Sequence, residues 1–186
     1  VLSRGLGDVY KRQVTKSTPQ GSLDYAFNPV SVALGAEATF VARAIDSDRK
    51  HLTEVLRAAA AHEGSALVEI YQNCNIFNDG AFEPLKENDV REDHLIRLEH
   101  GQPIIFGNNH EKCVIRDSDG HLQVVNVEDV DQSEVIIFDS HAKDPGLAFG
   151  LSRLYNPRTL TNTPIGIFRD VTHREAYDRM AQQQIA

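Results

Sequence analysis

The chain has 186 residues, 41% of them hydrophobic and 25% charged, a balance that fits one globular domain or one domain with an appendage. A formal net charge of −8 argues against bulk attraction to nucleic acid or to an anionic membrane, and no apolar run reaches the roughly 18 residues that a membrane helix needs. Two cysteines, Cys74 and Cys113, make no disulfide framework, and without a signal-peptide core a reducing cytoplasm is the expected location.

The first stretch, residues 1–13, carries Arg4, Lys11 and Arg12 against Asp8 and has no helical or strand period. It reads as a non-native, adapter-like leader, and it is set aside from the fold. If so, the chain lacks its natural front. Residues 14–31 are loop-like, punctuated by Pro19 and Gly21. Asn28 followed by Pro29 predicts an N-cap and first helical residue, with a short helix over 29–36 that faces Val30, Ala33 and Leu34 inward. "ATFVARA", 38–44, reads as a buried strand. A helix follows, capped by Asp46 or Ser47, with Leu52, Val55, Leu56 and Ala59 on one face and Gly64 as its stop. "ALVEIY", 66–71, is a second strand. Strand, helix and strand make a right-handed parallel βαβ unit.

After Asn78 the pattern becomes irregular. Residues 81–93 are polar and broken. "HLIRLEHGQPIIFG" predicts two short strands around His100–Gly101. "KCVIRDSDGHLQVVNV" predicts a hairpin turning at Asp117–Gly120. Residues 134–140 read as a further strand, 145–154 as a helix and "PIGIFRD" as extended. Thr172 with Glu175 predicts a capping box opening a final helix. The fold class is therefore α/β, with a βαβ unit up to residue 78 followed by a smaller α+β part.

Most chemical signals in the sequence have plainer readings. The Asp117–Gly120 segment does not make a calcium loop, since Ile115 stands where an acidic or amide residue belongs and Asn126 where the closing Glu belongs, and a turn is expected instead. His110 and Cys113 supply one ligand pair where structural zinc wants four, so Cys113 reads as a buried, inert thiol. No phosphate-cradling glycine motif or nucleophile elbow appears. Cys74 differs by position: it follows "ALVEIY" directly, beyond the C-terminal end of a parallel strand, where ligands bind in open α/β sheets. Asn73, Asn75 and Asn78 favour an ordered irregular loop around it, able to aim a thiolate at a metal. A purely structural role stays open at this point.

Three segments, "NPVSVALGAEATFVARAIDSD", "LVEIYQNCNIFND" and "PIGIFRD", are similar to the β subunit of 2-oxoacid:ferredoxin oxidoreductases, and most similar to the 2-oxoglutarate type. The resemblance spans 14–186, and its specific parts are Gly35–Arg43 and the Gln72–Asn78 segment. It implies oxidative decarboxylation of a 2-oxoacid at thiamine diphosphate and Mg²⁺. Electrons would pass singly through a 4Fe-4S cluster to ferredoxin and the acyl group to coenzyme A, with an α subunit as partner. It implies that Cys74 is a 4Fe-4S ligand and that Lys16, Ser17 and Thr18 lie near the thiamine diphosphate site. It divides the chain into 14–78, the closing part of a thiamine-diphosphate-binding domain, and 79–186, the β subunit's C-terminal domain. The family's Gly-Asp-Gly-Asp motif and three further cluster cysteines are absent. They would belong upstream of Val14, so this chain is expected to be an inactive fragment by itself. The alternatives are a non-catalytic subunit-interaction module and an iron-free thiamine-diphosphate enzyme.

Overall fold

The computed structural model describes residues 14, 19–21, 26–75, 79–87, 89–172 and 175–185. The adapter-like leader 1–13, Lys16, Ser17, Thr18 and Asn78 lie outside the described residues.

Helix α1 (Pro29–Gly35) starts where the sequence predicts, with Asn28 Oδ1 accepting from the Ser31 amide at 3.0 Å and Pro29 in the first turn. Strand β1 (Phe40–Ile45) is buried along its whole length. Helix α2 (Arg49–Ala61) and strand β2 (Ala66–Tyr71) follow, and β1 and β2 pair in parallel. The predicted βαβ unit is present. Its helix, however, is capped by Asp48, whose Oδ1 accepts from the His51 amide at 3.2 Å, and not by Asp46 or Ser47. The helix buries Val55 but leaves Leu56 43% exposed, so its apolar face is narrower than the sequence suggests.

Beyond residue 78 come a single turn of helix, α3 (Arg91–His94), and strands β3 (Leu95–Leu98) and β4 (Ile105–Phe106). The hairpin β5 (Lys112–Arg116) and β6 (Leu122–Asn126) turns at Asp117–Gly120 as predicted. Asp117 Oδ1 accepts from the amides of Asp119 and His121, and Gly120 takes a φ of 87°, which glycine adopts without strain. Helix α4 (Gly146–Ser152), strand β7 (Thr163–Asp170) and helix α5 (Tyr177–Ile185) complete the order. Two expectations fail here. Residues 134–140 form no regular strand; Val135 and Ile137 make isolated bridges to Ile115 and Pro103, because the segment is shared between two neighbours. The last helix begins at Tyr177, so Thr172 does not cap it.

Strands from both sides of residue 78 share one mixed sheet in the order β2-β1-β7-β3. β7 runs antiparallel to β1 and parallel to β3. The pairing with β1 shifts register between Val41 and Ala42. The shift leaves Phe168 as the extra residue of β7. Gly166, paired with Arg43 on one side and Leu98 on the other, has a φ of 113°, and a Cβ there would come within 2.8 Å of the Leu98 carbonyl oxygen, so the close approach of β3 needs glycine. A second sheet, β4-β5-β6, is antiparallel. The two short strands read around His100 thus go to different sheets.

Alternation along β1 sorts the core. Phe40 and Ala42 pack with Val55 of α2 on one face. Val41 packs on the other with α1, α4, Phe106, Val114 and Phe168. Ile45 joins Leu85, Leu95 and Ile165 in a third cluster. His62, just past α2, locks the ends together: its Nδ1 lies 2.8 Å from Asp170 Oδ1 and its Nε2 lies 2.8 Å from Thr39 Oγ1.

Candidate functional site

The parallel pair β1 and β2 delivers its C-terminal ends to one side of the sheet, and Cys74 lies three residues past the end of β2. The strand end is fixed by the Asp46 amide, which donates to the Tyr71 carbonyl at 3.0 Å. Cys74 is half-buried and takes part in an isolated bridge.

The chain then folds back over the strand end. Tyr71 and Phe82 stack at 4.7 Å with 19° between their planes, and Leu85 is buried against Ile45. Lys86 Nζ lies 3.3 Å from Asp46 Oδ1. Between these anchors the Asn73 side chain acts as a clamp. Its Nδ2 donates to Asn75 Oδ1 at 2.6 Å and to Asp79 Oδ1 at 2.9 Å, and its Oδ1 accepts from the Gly80 amide at 2.9 Å. The asparagine-ordered loop expected from the sequence is therefore present on the described residues, with Asn73 as its organiser.

Beneath the loop lies a charge that the sequence reading did not single out. Arg43, in the middle of β1, is only 1% exposed. Its Nε donates to Glu69 Oε2 of β2 at 2.6 Å and its Nη1 to the Pro164 carbonyl at 3.2 Å. The guanidinium carbon lies 5.1 Å from the Tyr71 ring centre, 5.6 Å from Tyr155 and 5.5 Å from Phe168. Burial opposes this charge, but Tyr71 and Glu69 outweigh it and hold the Arg43 pKa above its ordinary value. Burial likewise pushes the Tyr71 hydroxyl well up, against the pull of Arg43. A charged residue inside the otherwise apolar run "FVARAI" was the available signal.

Cys113 is elsewhere and different. It is fully buried in β5, and burial pushes its thiol pKa up, as expected of an inert core cysteine. No disulfide joins it to Cys74. Among the described residues, no group of three or more His, Cys, Asp or Glu side chains could hold a metal ion. Nor is any helix among them long and apolar enough to cross a membrane.

On the α2 face, a hollow of about 420 Å³ is lined by Asp48, His51, Arg97 and His100, among others. Arg97 donates to Asp48 Oδ2 at 3.1 Å and to both oxygens of Glu92. Arg97 holds the Glu92 carboxyl below its ordinary value. Burial raises that of Asp48, but the His51 amide and Arg97 outweigh it and leave this pKa lowered too.

Comparison with known proteins gives this geometry a context. The chain is 54% identical over 173 residues to the 2-oxoglutarate oxidoreductase subunit KorB of Mycobacterium tuberculosis, covering 93% of this chain and 45% of that protein. It is 41% identical over 64 residues to the 2-oxoacid:ferredoxin oxidoreductase subunit beta of a Sulfolobus species, covering 34% of this chain and 21% of that protein. It is 44% identical over 64 residues to subunit beta of 2-oxoacid:ferredoxin oxidoreductase 1 from Aeropyrum pernix, covering 34% and 20%. The chain thus spans less than half the length of these relatives. No family model matches it. A solved structure of 2-oxoglutarate:ferredoxin oxidoreductase from Magnetococcus marinus, with 2-oxoglutarate, coenzyme A and succinyl-CoA bound, superposes with a TM-score of 0.58. It covers 95% of this chain and 44% of that one at 19% identity, and so bears out the α/β fold class alone.

Proposed function

We propose that this chain, a relative of the β subunits of 2-oxoacid:ferredoxin oxidoreductases, is part of such a subunit, working on 2-oxoglutarate. One observation carries the reading most. The match to the mycobacterial subunit runs over 93% of the chain, and within it Cys74 stands past the C-terminal end of a parallel strand on a clamped loop. The whole enzyme would convert the 2-oxoacid to its acyl-CoA and pass electrons to ferredoxin, with an α subunit as partner and the cytoplasm as location. Thiamine diphosphate with Mg²⁺ supplies the decarboxylation chemistry and a 4Fe-4S cluster the single-electron path.

The donor set fits that cluster in part. Cys74 offers one half-buried thiol of the four that such a cluster takes, and Cys113, fully buried in the second sheet, offers none. The role of this chain's residues is therefore to aim one ligand: β2 sets the position, Asn73 closes the loop and Tyr71 with Phe82 packs its base. Lys16, Ser17 and Thr18 are assigned to the neighbourhood of the thiamine diphosphate site. Residues 14–78 are read as the closing part of the cofactor-binding domain and 79–186 as the C-terminal domain. The archaeal matches, 64 residues each, have about the length of that first segment.

The test compares two preparations. The 186-residue chain alone should carry no stoichiometric iron and bind no thiamine diphosphate. Joined to the upstream half of the mycobacterial relative and to the α subunit, it should show a 4Fe-4S electron paramagnetic resonance signal that Cys74→Ser abolishes or strongly alters. An unchanged cluster in that variant would remove Cys74 from the ligand set.

A further inference from the structure

Two histidines far apart in the chain meet on the surface beside the end of β7. The rings of His100 and His141 lie 4.3 Å apart between centroids, inclined at 54°. Both are exposed, the His100 side chain by 52%. Each ring has one nitrogen engaged. His100 Nδ1 lies 3.2 Å from Asp139 Oδ1, and His141 Nδ1 lies 2.5 Å from the Asp170 carbonyl oxygen. A carbonyl oxygen only accepts, so the His141 proton sits on Nδ1, while His100 Nδ1 faces the Asp139 carboxylate at ion-pair distance. In the neutral His141 ring the lone pair is then on Nε2. A histidine whose Nδ1–H is held by a carboxylate or a backbone carbonyl is the arrangement found behind metal-bound imidazoles.

The backbone around the pair is built to stay in place. The Gly101 amide donates to the Phe138 carbonyl at 2.7 Å, and the Phe138 amide donates to the Gln102 carbonyl at 2.9 Å. The Asp170 amide donates to the Ser140 carbonyl at 2.8 Å, and the His141 amide donates to Asp139 Oδ1 at 2.8 Å. Asp170 is itself fixed through His62. Zinc–imidazole bonds are about 2.0–2.1 Å long, so the 4.3 Å between centroids falls within the span of two imidazoles on one ion. His100 lines the hollow of about 420 Å³ on the α2 face and His141 a neighbouring one of about 340 Å³. Positions on an ion held between them would open to water.

We propose that His100 and His141 form a two-imidazole site for a divalent transition cation of the zinc and copper class. Nε2 of each ring is the ligand, Asp139 and the Asp170 carbonyl orient the rings, and water completes the coordination. Among the described residues no group of three or more His, Cys, Asp or Glu side chains could hold a metal ion, so an ion at this pair would have two protein ligands and take the rest from water. It is separate from Cys74 and independent of the proposed redox role.

The experiment titrates the full chain with ZnCl2 by calorimetry and with Cu²⁺ by electron paramagnetic resonance. The expected result is one saturable equivalent, with hyperfine coupling to two imidazole nitrogens. His100→Ala and His141→Ala should each abolish that signature. Asp139→Asn should weaken binding by about 10–100-fold while circular dichroism stays unchanged. His121→Ala, at the remote hairpin turn, should leave it intact. Binding that survives in the H100A/H141A double variant, that C74S removes, or that never saturates would overturn the proposal.

Discussion

Cys74 and Cys113 share a chemistry and differ in everything around it. Cys113 sits in the middle of an antiparallel sheet whose strands pair locally, one hairpin apart, and its sulfur is sealed among apolar neighbours. Cys74 sits where a parallel pair ends, on a loop held by polar side chains rather than by core packing. Burial raises the cost of a thiolate and removes access; a strand end does neither. The contrast teaches that in this chain packing, not residue type, decides which cysteine is available for chemistry.

The sharpest way to break that contrast is thiol labelling under native conditions. Cys74 should react with a disulfide reagent promptly, whereas Cys113 should wait for unfolding, a protection of at least ~10³ for a domain of ordinary stability. Comparable rates for the two would end the distinction. Next in size is the charge beneath the Cys74 loop. Arg43→Ala leaves Glu69 without its buried partner and empties the space between three rings, and breaking a buried pair in this way costs about 3–5 kcal/mol. Denaturant midpoints measure it, and a loss below about 1 kcal/mol would mean that Glu69 regains water freely. The smallest effect belongs to the opposite face. The carboxyls of Asp48 and Glu92 are held below their ordinary values, so the stability they lend is present above the unfolded-state pKa of about 4 and is lost as pH falls through the lowered folded values. Arg97→Met should flatten this acid limb in urea titrations at successive pH values. An unaltered limb would assign the pH dependence to other groups.

Local rules read well from the sequence. The Asn28–Pro29 cap and the turn at Asp117–Gly120 depend on neighbours within a few residues, and the βαβ unit on one short crossover; each stands where its residues put it. The failures come where distant partners decide. Asp46, Ser47 and Asp48 are equivalent as caps by pattern, but only Asp48 also offers its second oxygen to Arg97, 49 positions away. Residues 134–140 look like a strand, yet their partners are a β5 residue and a loop proline, which allows bridges but no ladder. Thr172 and Glu175 fit a capping box in spacing, but the helix opens only at Tyr177. For the candidate site, strand-end placement made Cys74 visible, while Asn73 as a clamp, Arg43 as the buried support and the His100–His141 pair all needed three-dimensional neighbours to be seen.

The insertion of β7 between β1 and β3 also sets a timetable for synthesis. Phe40 pairs with Asp170, so β1 leaves the ribosome about 130 residues before its antiparallel neighbour exists. At about 5–20 residues per second, that is a wait of roughly 6–26 seconds with one edge of β1 bare. Pairings of such sequence separation are slow to close and expose apolar strand in the interval. The edge of β1 that faces β7 therefore stays unpaired until "PIGIFRD" emerges.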